Sequence, residues 1–173
     1  AAVALATAAS AAGTAQARAA LPAPVRDVFT PVTISPVGPS TMPVEGTDGR
    51  WHVVYELQLV NGKGVPATIQ EVSVLDAARP ARVLARFAGD ELVGRLRTLF
   101  PSPADDAVIP PNEMRLLYVE LAFDRRRDVP RHVVHRLRLL GADNPGAAEP
   151  AELTYTGGRY GIRDGRPIVL DAP

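Results

Sequence analysis

Along Trp51–Asn61, Val53, Tyr55, Leu57 and Leu59 alternate with Val54, Glu56, Gln58 and Val60. A period of two puts one set on each side of a strand, with the first set facing a core. Asn61-Gly62 follows at once, and a second apolar run, Val65 to Leu75, is anchored by Ile69, Val72 and Val74. Ala78-Arg79-Pro80 marks a turn. Beyond it Val83, Ala85 and Phe87 alternate with Arg82, Leu84 and Arg86. The spacing predicts a hairpin closed at Asn61-Gly62 and a three-strand meander through Phe87.

The period then changes. Leu92, Leu96, Leu99 and Phe100 fall on one helical face, predicting one short helix over 89–99 with Asp90 at its start and Pro101 as its stop. Another long strand follows over 113–123, with Arg115, Leu117, Val119, Leu121 and Phe123 on one face. Its second face is also mostly apolar, as expected of a covered, central strand. Val133, His135, Leu137 and Leu139 alternate with His132, Val134, Arg136 and Arg138, a half-exposed strand with an arginine-bearing outer face. Leu153–Thr156 and Ile168–Leu170 are short candidate strands. About seven strands, separated by turns and without a βαβ alternation, predict a mainly β chain. Its expected form is an antiparallel immunoglobulin-like β-sandwich with one short inserted helix.

Two segments precede that body. Residues 1–20 are alanine-rich, uncharged before Arg18, and carry Ala15-Gln16-Ala17 and Ala17-Arg18-Ala19, which fit a small-x-small cleavage site. They read as a signal-peptide-like segment and imply a secreted or periplasmic protein without a membrane span in its mature chain. Residues 21–50 are a Pro- and Gly-rich lead-in, with Val32–Ser35 as an edge strand and Thr47-Asp48-Gly49 as a turn; residues 51–173 are the sandwich.

Composition narrows the chemistry further. Nineteen basic residues balance nineteen acidic ones, so no overall field draws the chain to nucleic acid. The absence of cysteine removes disulfides, thiolate zinc sites and a thiol nucleophile. His132 and His135 have a spacing that could share a metal on a helix, but in a strand they point to opposite faces. His52 and Glu56 share a strand face yet lie about 13 Å apart along it, too far for one ion. Asp90-Glu91 and Asp105-Asp106 are adjacent acids with capping or solvated roles. No serine sits in a Gly-x-Ser-x-Gly elbow, and Gly157-Gly158 opens no phosphate-binding helix. Arg125, Arg126, Arg127, Arg131, Arg136 and Arg138 form the densest basic region. An anionic partner is its functional reading; a solvated loop and outer strand face, with Asp124 and Asp128 nearby, is the plainer one. No catalytic, cofactor-binding or metal residue is assigned, and no autonomous enzyme is expected.

The succession Val54-Tyr-Glu-Leu-Gln-Leu-Val-Asn61, Glu71–Asp76, Arg82–Leu84, Pro110–Glu113, His135–Leu137 and Pro167–Pro173 resembles the N-terminal region of secreted bacterial proteins of the lysostaphin-type zinc metallopeptidase family. The resemblance implies a non-catalytic front domain that supports or positions a hydrolase domain lying beyond Pro173. That family's His-x-x-x-Asp and His-x-His zinc motifs do not occur here: Glu56, Arg136 and Leu139 stand four residues after the three histidines. The alternative is a stand-alone secreted binding module for a cell-envelope or protein partner.

Overall fold

In a computed structural model, described over residues 29–100 and 102–165, the chain is a sandwich of two sheets. The elements are β1 (Val32–Pro36), β2 (Ser40–Thr41), β3 (Val44–Glu45), β4 (Trp51–Asn61), β5 (Ala67–Asp76), β6 (Arg79–Ala88), α1 (Gly89–Arg95), β7 (Leu96–Arg97), β8 (Val108–Ile109), β9 (Met114–Phe123), β10 (His132–Gly141), β11 (Ala151–Thr156) and β12 (Tyr160–Ile162). The first sheet runs β1-β4-β9-β7, with β3 also on β4. The second runs β2-β12-β10-β5-β6, with β11 on β10 and β8 on β5. All pairings are antiparallel except β2 with β12. β1, β4, β7 and β9 occupy the places of strands A, B, D and E of an immunoglobulin fold. β5, β6 and β10 take those of C, C′ and F, and β11 and β12 share the place of G.

The inward residues are the ones whose alternation is plainest. Val53, Leu57 and Leu59 of β4 meet Leu117, Val119 and Leu121 of β9 and Val133, Leu137 and Leu139 of β10 in one core. The lead-in contributes β1 to β3, and Val32 is fully buried. The signal-peptide-like residues 1–20 and the candidate strand Ile168–Leu170 lie outside the described residues, as does Pro101.

Four expectations are corrected. Asn61-Gly62 closes no hairpin: β4 pairs with β1, β3 and β9, whereas β5 belongs to the other sheet. Of the three apolar runs only β5 and β6 form a hairpin, so the meander is two strands long. Asn61 explains the crossing. Fully buried, it donates from Nδ2 to the carbonyls of Val65 (2.9 Å) and Ile109 (3.0 Å) and accepts from the Lys63 amide at 3.1 Å. A side chain thus satisfies backbone groups that a hairpin ladder would otherwise pair.

The face alternation of β6 also breaks. Ala85 opposes Val74 and Val83 opposes Leu75, so Leu84 is the extra residue of a bulge. Leu84 consequently packs on the core and Val83 faces outward.

The helix is shorter than its periodicity suggests. α1 ends at Arg95, the Leu96 amide donates to the Leu92 carbonyl, and Leu96-Arg97 pairs with Leu117 and Leu116 of β9. Gly94 weakens helix continuation, while the β9 edge offers the backbone a ladder instead. Leu92 and Leu96 are buried, but Leu99 and Phe100 are 60% and 82% exposed. Asp90 stands in the first turn as expected, and Ala88 occupies the N-cap. Finally, β9 is central, between β4 and β7, but on its outer face Met114, Leu116, Tyr118 and Ala122 are half-buried and Glu120 is exposed, so that face is not fully covered.

Candidate anion-binding site

Connections at one end of the sandwich bring together the turn between β5 and β6, the 124–131 connection between β9 and β10, and the exit from β12. In the 124–131 connection the Asp128 amide donates to the Arg125 carbonyl at 2.9 Å, and the Val129 amide to the Arg126 carbonyl at 3.1 Å. That tight turn tucks Val129 and Pro130 inward and turns Arg127 and Arg131 toward solvent. Arg126 folds back: its guanidinium lies 4.9 Å from the Trp51 ring centroid and donates to Asp164 Oδ1 at 2.8 Å and the Gly165 carbonyl at 3.3 Å. The Ile162 amide donates to the Arg131 carbonyl (2.8 Å) and the Arg163 amide to the Thr41 carbonyl (2.7 Å), which places Arg163 beside the connection.

The result is a cleft of about 420 Å³ with an apolar floor of Pro43, Val129, Pro130 and Ile162 and four lining arginines, Arg126, Arg127, Arg131 and Arg163. Among the described residues Asp164 is its one carboxylate, and Arg126, with the charge of Arg131 adding, holds it below the usual carboxylate range. A second cleft of about 320 Å³ shares Pro130 and Arg131 and adds Arg79, His132 and Arg159. Its acid, Asp76, is buried at the β5–β6 turn. Burial works to raise its pKa. The Ala78 amide at 3.0 Å, Arg79 at 2.9 Å and Arg82 at 3.5 Å outweigh that and keep the carboxyl below its ordinary value. Among the described residues, Arg127, Arg131, Arg159 and Arg163 have no carboxylate within ion-pair distance. Planar, permanently charged guanidiniums over a shallow apolar floor suit phosphate or carboxylate groups.

The basic region seen in the sequence is therefore divided. Arg126, Arg127 and Arg131 converge. Arg136 and Arg138 instead line a cleft of about 330 Å³ on the outer face of β10, with Glu71, Arg86 and Thr154. Arg125 lines neither. Sequence reasoning missed Arg163, Arg159 and Arg79, which reach the site through sheet pairing from distant segments. The charges of Arg159, Arg163 and Asp164 on either side of Tyr160–Ile162 were the only local hint.

The histidines fall in three settings. His52 Nδ1 contacts Glu120 Oε1 at 2.9 Å, and Nε2 contacts Asp48 Oδ1 at 3.0 Å. Carboxylates only accept, so both contacts are hydrogen bonds when the ring carries two protons. Asp48 first and Glu120 second raise the His52 pKa, and Asp48 is correspondingly lowered by His52. Glu56 takes no part. His132 is exposed on the outer face of β10, and His135 is buried on the inner one. There the Tyr55 hydroxyl and His135 Nε2 share a hydrogen bond at 2.8 Å, with the Tyr160 ring 5.0 Å from Tyr55. Burial pushes the His135 pKa down to about 4 and the Tyr55 hydroxyl well up.

Among the described residues a zinc ion of the kind used by the family resembled finds no donor set. The acids on His52 sit on opposite ring nitrogens, His132 and His135 face apart, and among the described residues no group of three His, Asp or Glu is arranged to hold a metal ion. The remaining acids have local roles. Glu91 pairs with Arg95 at 3.3 Å, and Asp106 accepts from the Val108 amide at 2.8 Å beside exposed Asp105. Ser73 donates to Glu71, and no described serine bonds a histidine.

Strand order and site define an immunoglobulin-like β-sandwich with arginine-lined clefts at one end. No family model matches the chain, and no curated protein matches it. It is similar to a solved structure described as the X-ray structure of Northeast Structural Genomics Consortium target SoR45. Identity is 10%, coverage is 82% of this chain and 90% of that chain, and the TM-score is 0.42. Among the described residues no helix is long and apolar enough to cross a membrane.

Proposed function

We propose that this chain is a non-catalytic extracytoplasmic β-sandwich domain that binds an anionic component of the cell envelope through its arginine-rich end. One observation carries the reading: among the described residues, four guanidiniums line one cleft whose single carboxylate is already engaged by Arg126. The signal-peptide-like residues 1–20 support the extracytoplasmic setting, and the lack of a converging nucleophile, base or metal set among the described residues supports a binding role. The test is co-sedimentation of the purified chain with envelope material, intact or stripped of its anionic polymers. Binding that falls with salt and with stripping is expected, and Arg127→Ala/Arg163→Ala weakens it at least tenfold. Equal binding to stripped material, or an unaffected double variant, refutes the proposal. Stoichiometric zinc in the purified chain would refute its non-catalytic part.

A second reading, that of a front domain positioning a lysostaphin-type peptidase domain, rests on the strand succession. Sequence beyond Pro173 containing His-x-x-x-Asp and His-x-His supports it; a stop codon there removes it.

A further inference from the structure

We infer that the arginine-rich end continues into a basic track on the outer face of β10, and that clefts and track together take a linear phosphodiester chain without nucleobases. This rests on the proposed binding role and specifies its ligand. β10 starts at the clefts with His132 and carries Arg136 and Arg138 on the same outer face. Four and six residues of strand place them about 13 and 20 Å from His132. Arg136 lies opposite Ser73, which lies opposite Arg86, so Arg136 and Arg86 flank one row of the sheet. On the other side Arg136 faces Thr156 and Arg138 faces Thr154, whose hydroxyls can donate to phosphate oxygens. Glu71 engages Arg86 at 3.5 Å, leaving Arg136 and Arg138 as the cations without an acid partner among the described residues.

The spacing fits a phosphodiester backbone. Residues two apart on a strand face are about 7 Å apart, the span of one extended repeat in which three carbons separate successive phosphates. A single small anion would occupy one cleft and leave the track idle, whereas a polymer engages both. Nucleic acid fits less well. β5, β10 and β11 present no Phe, Tyr or Trp on the outer face among the described residues, and Tyr155 is buried on the inner one, so bases would have no ring to stack on.

The experiment uses the full chain, poly(glycerol phosphate), glycerol phosphate monomer and an oligodeoxythymidine with the same number of phosphates. Calorimetric titration compares wild type with Arg127→Ala/Arg163→Ala and with Arg136→Ala/Arg138→Ala. Circular dichroism checks that both variants are folded, as expected of residues that make no ion pair. The polymer is expected to bind at least tenfold tighter than the monomer. Each double variant weakens polymer binding about tenfold, and the track variant leaves monomer binding unchanged. The track variant also lowers the salt slope by about 1.4, at about 0.7 per lost phosphate contact. If only the cleft variant weakens polymer binding, the track is refuted and the binding role stands. If the cleft variant binds every anion as wild type does, the binding role itself falls. Thymidine oligomer bound as tightly as the polymer overturns the choice of ligand.

Discussion

His135 gives the sandwich a built-in acid sensitivity that can be measured. The ring is 1% exposed, shares a hydrogen bond with the Tyr55 hydroxyl at 2.8 Å, and among the described residues has no carboxylate beside it to support a charge. Its folded pKa of about 4 lies below the ordinary histidine value of 6.5. The unfolded chain therefore binds the proton first as pH falls. Stability contributed by the neutral ring is complete above the unfolded value, declines as pH drops below about 6.5, and is gone below about 4. Each tenfold difference in proton affinity between the folded and unfolded chain is worth about 1.4 kcal/mol, so the loss is about 2 kcal/mol by pH 5 and about 3 kcal/mol by pH 4. The perturbation is His135→Leu with Tyr55→Phe, which removes both polar partners together and strands neither in the core. Urea unfolding followed by fluorescence of Trp51, the single tryptophan, gives stability at each pH between 4.5 and 7.5. Carboxylates such as Asp76 lose their own contributions on the acid side in wild type and variant alike, so the difference between the two isolates the histidine. The variant is expected to show a flatter profile between pH 6.5 and 4.5. Tyr55→Phe alone should cost about 1–3 kcal/mol at pH 7 by leaving Nε2 unpaired. Parallel profiles for wild type and double variant would refute the burial argument.

Three further outcomes follow from the same geometry. His52, whose pKa is raised by Asp48 and Glu120, contributes stability that is present below about 6.5 and lost as pH rises through its folded pKa; His52→Gln should therefore flatten the stability profile above about pH 6.5 and, because His52 holds the Asp48 carboxyl low, also shift the acid limb. Asn61→Ala strands the Val65 and Ile109 carbonyls and the Lys63 amide, and should lower the urea-derived stability by at least about 1–3 kcal/mol. Asp76→Asn keeps an acceptor for the Ala78 amide but loses the charge facing Arg79 and Arg82. It should lower the melting temperature at pH 7, and the difference from wild type should vanish as pH falls through the folded pKa of Asp76, below the usual carboxylate range.

The long strands were legible because each keeps one face in the core over ten or eleven residues: β4, β9 and β10 could be read directly from Val53 to Leu59, Leu117 to Phe123 and Val133 to Leu139. Sheet membership was not legible. Asn61-Gly62 has the composition of a hairpin turn, and only the tertiary position of the Ile109 carbonyl makes Asn61 a bridge between sheets. The two-residue strands β2, β3, β7 and β8 are too short for any periodicity to register. In β6 a bulge reversed the phase at Leu84, which no local propensity announces. The site was half legible. Arg126, Arg127 and Arg131 lie close together in sequence, but Arg163 joins them only because β12 pairs with β10 and sets Ile162 against the Arg131 carbonyl.

A balanced overall charge conceals how that end acquires its excess of cations. Most nearby acids are committed to holding the fold, whereas Asp128 is exposed and makes no ion pair among the described residues. Asp76 fixes the β5–β6 turn, Asp124 receives Arg50 at 3.2 Å, Asp48 and Glu120 clasp His52, and Asp164 holds Arg126 against Trp51. Of these only Asp164 and Asp76 line the clefts, and both are already paired. The arginines carry no comparable duty: Arg127, Arg131, Arg159 and Arg163 could each be replaced without breaking an ion pair among the described residues. Exposed cations without an ion pair among the described residues, crowded where their mutual repulsion is unfavourable, fit the anion-binding role proposed above. The same segregation means that neutralising them should raise stability at low ionic strength while abolishing binding, a pairing of effects that a merely solvated arginine face would not show.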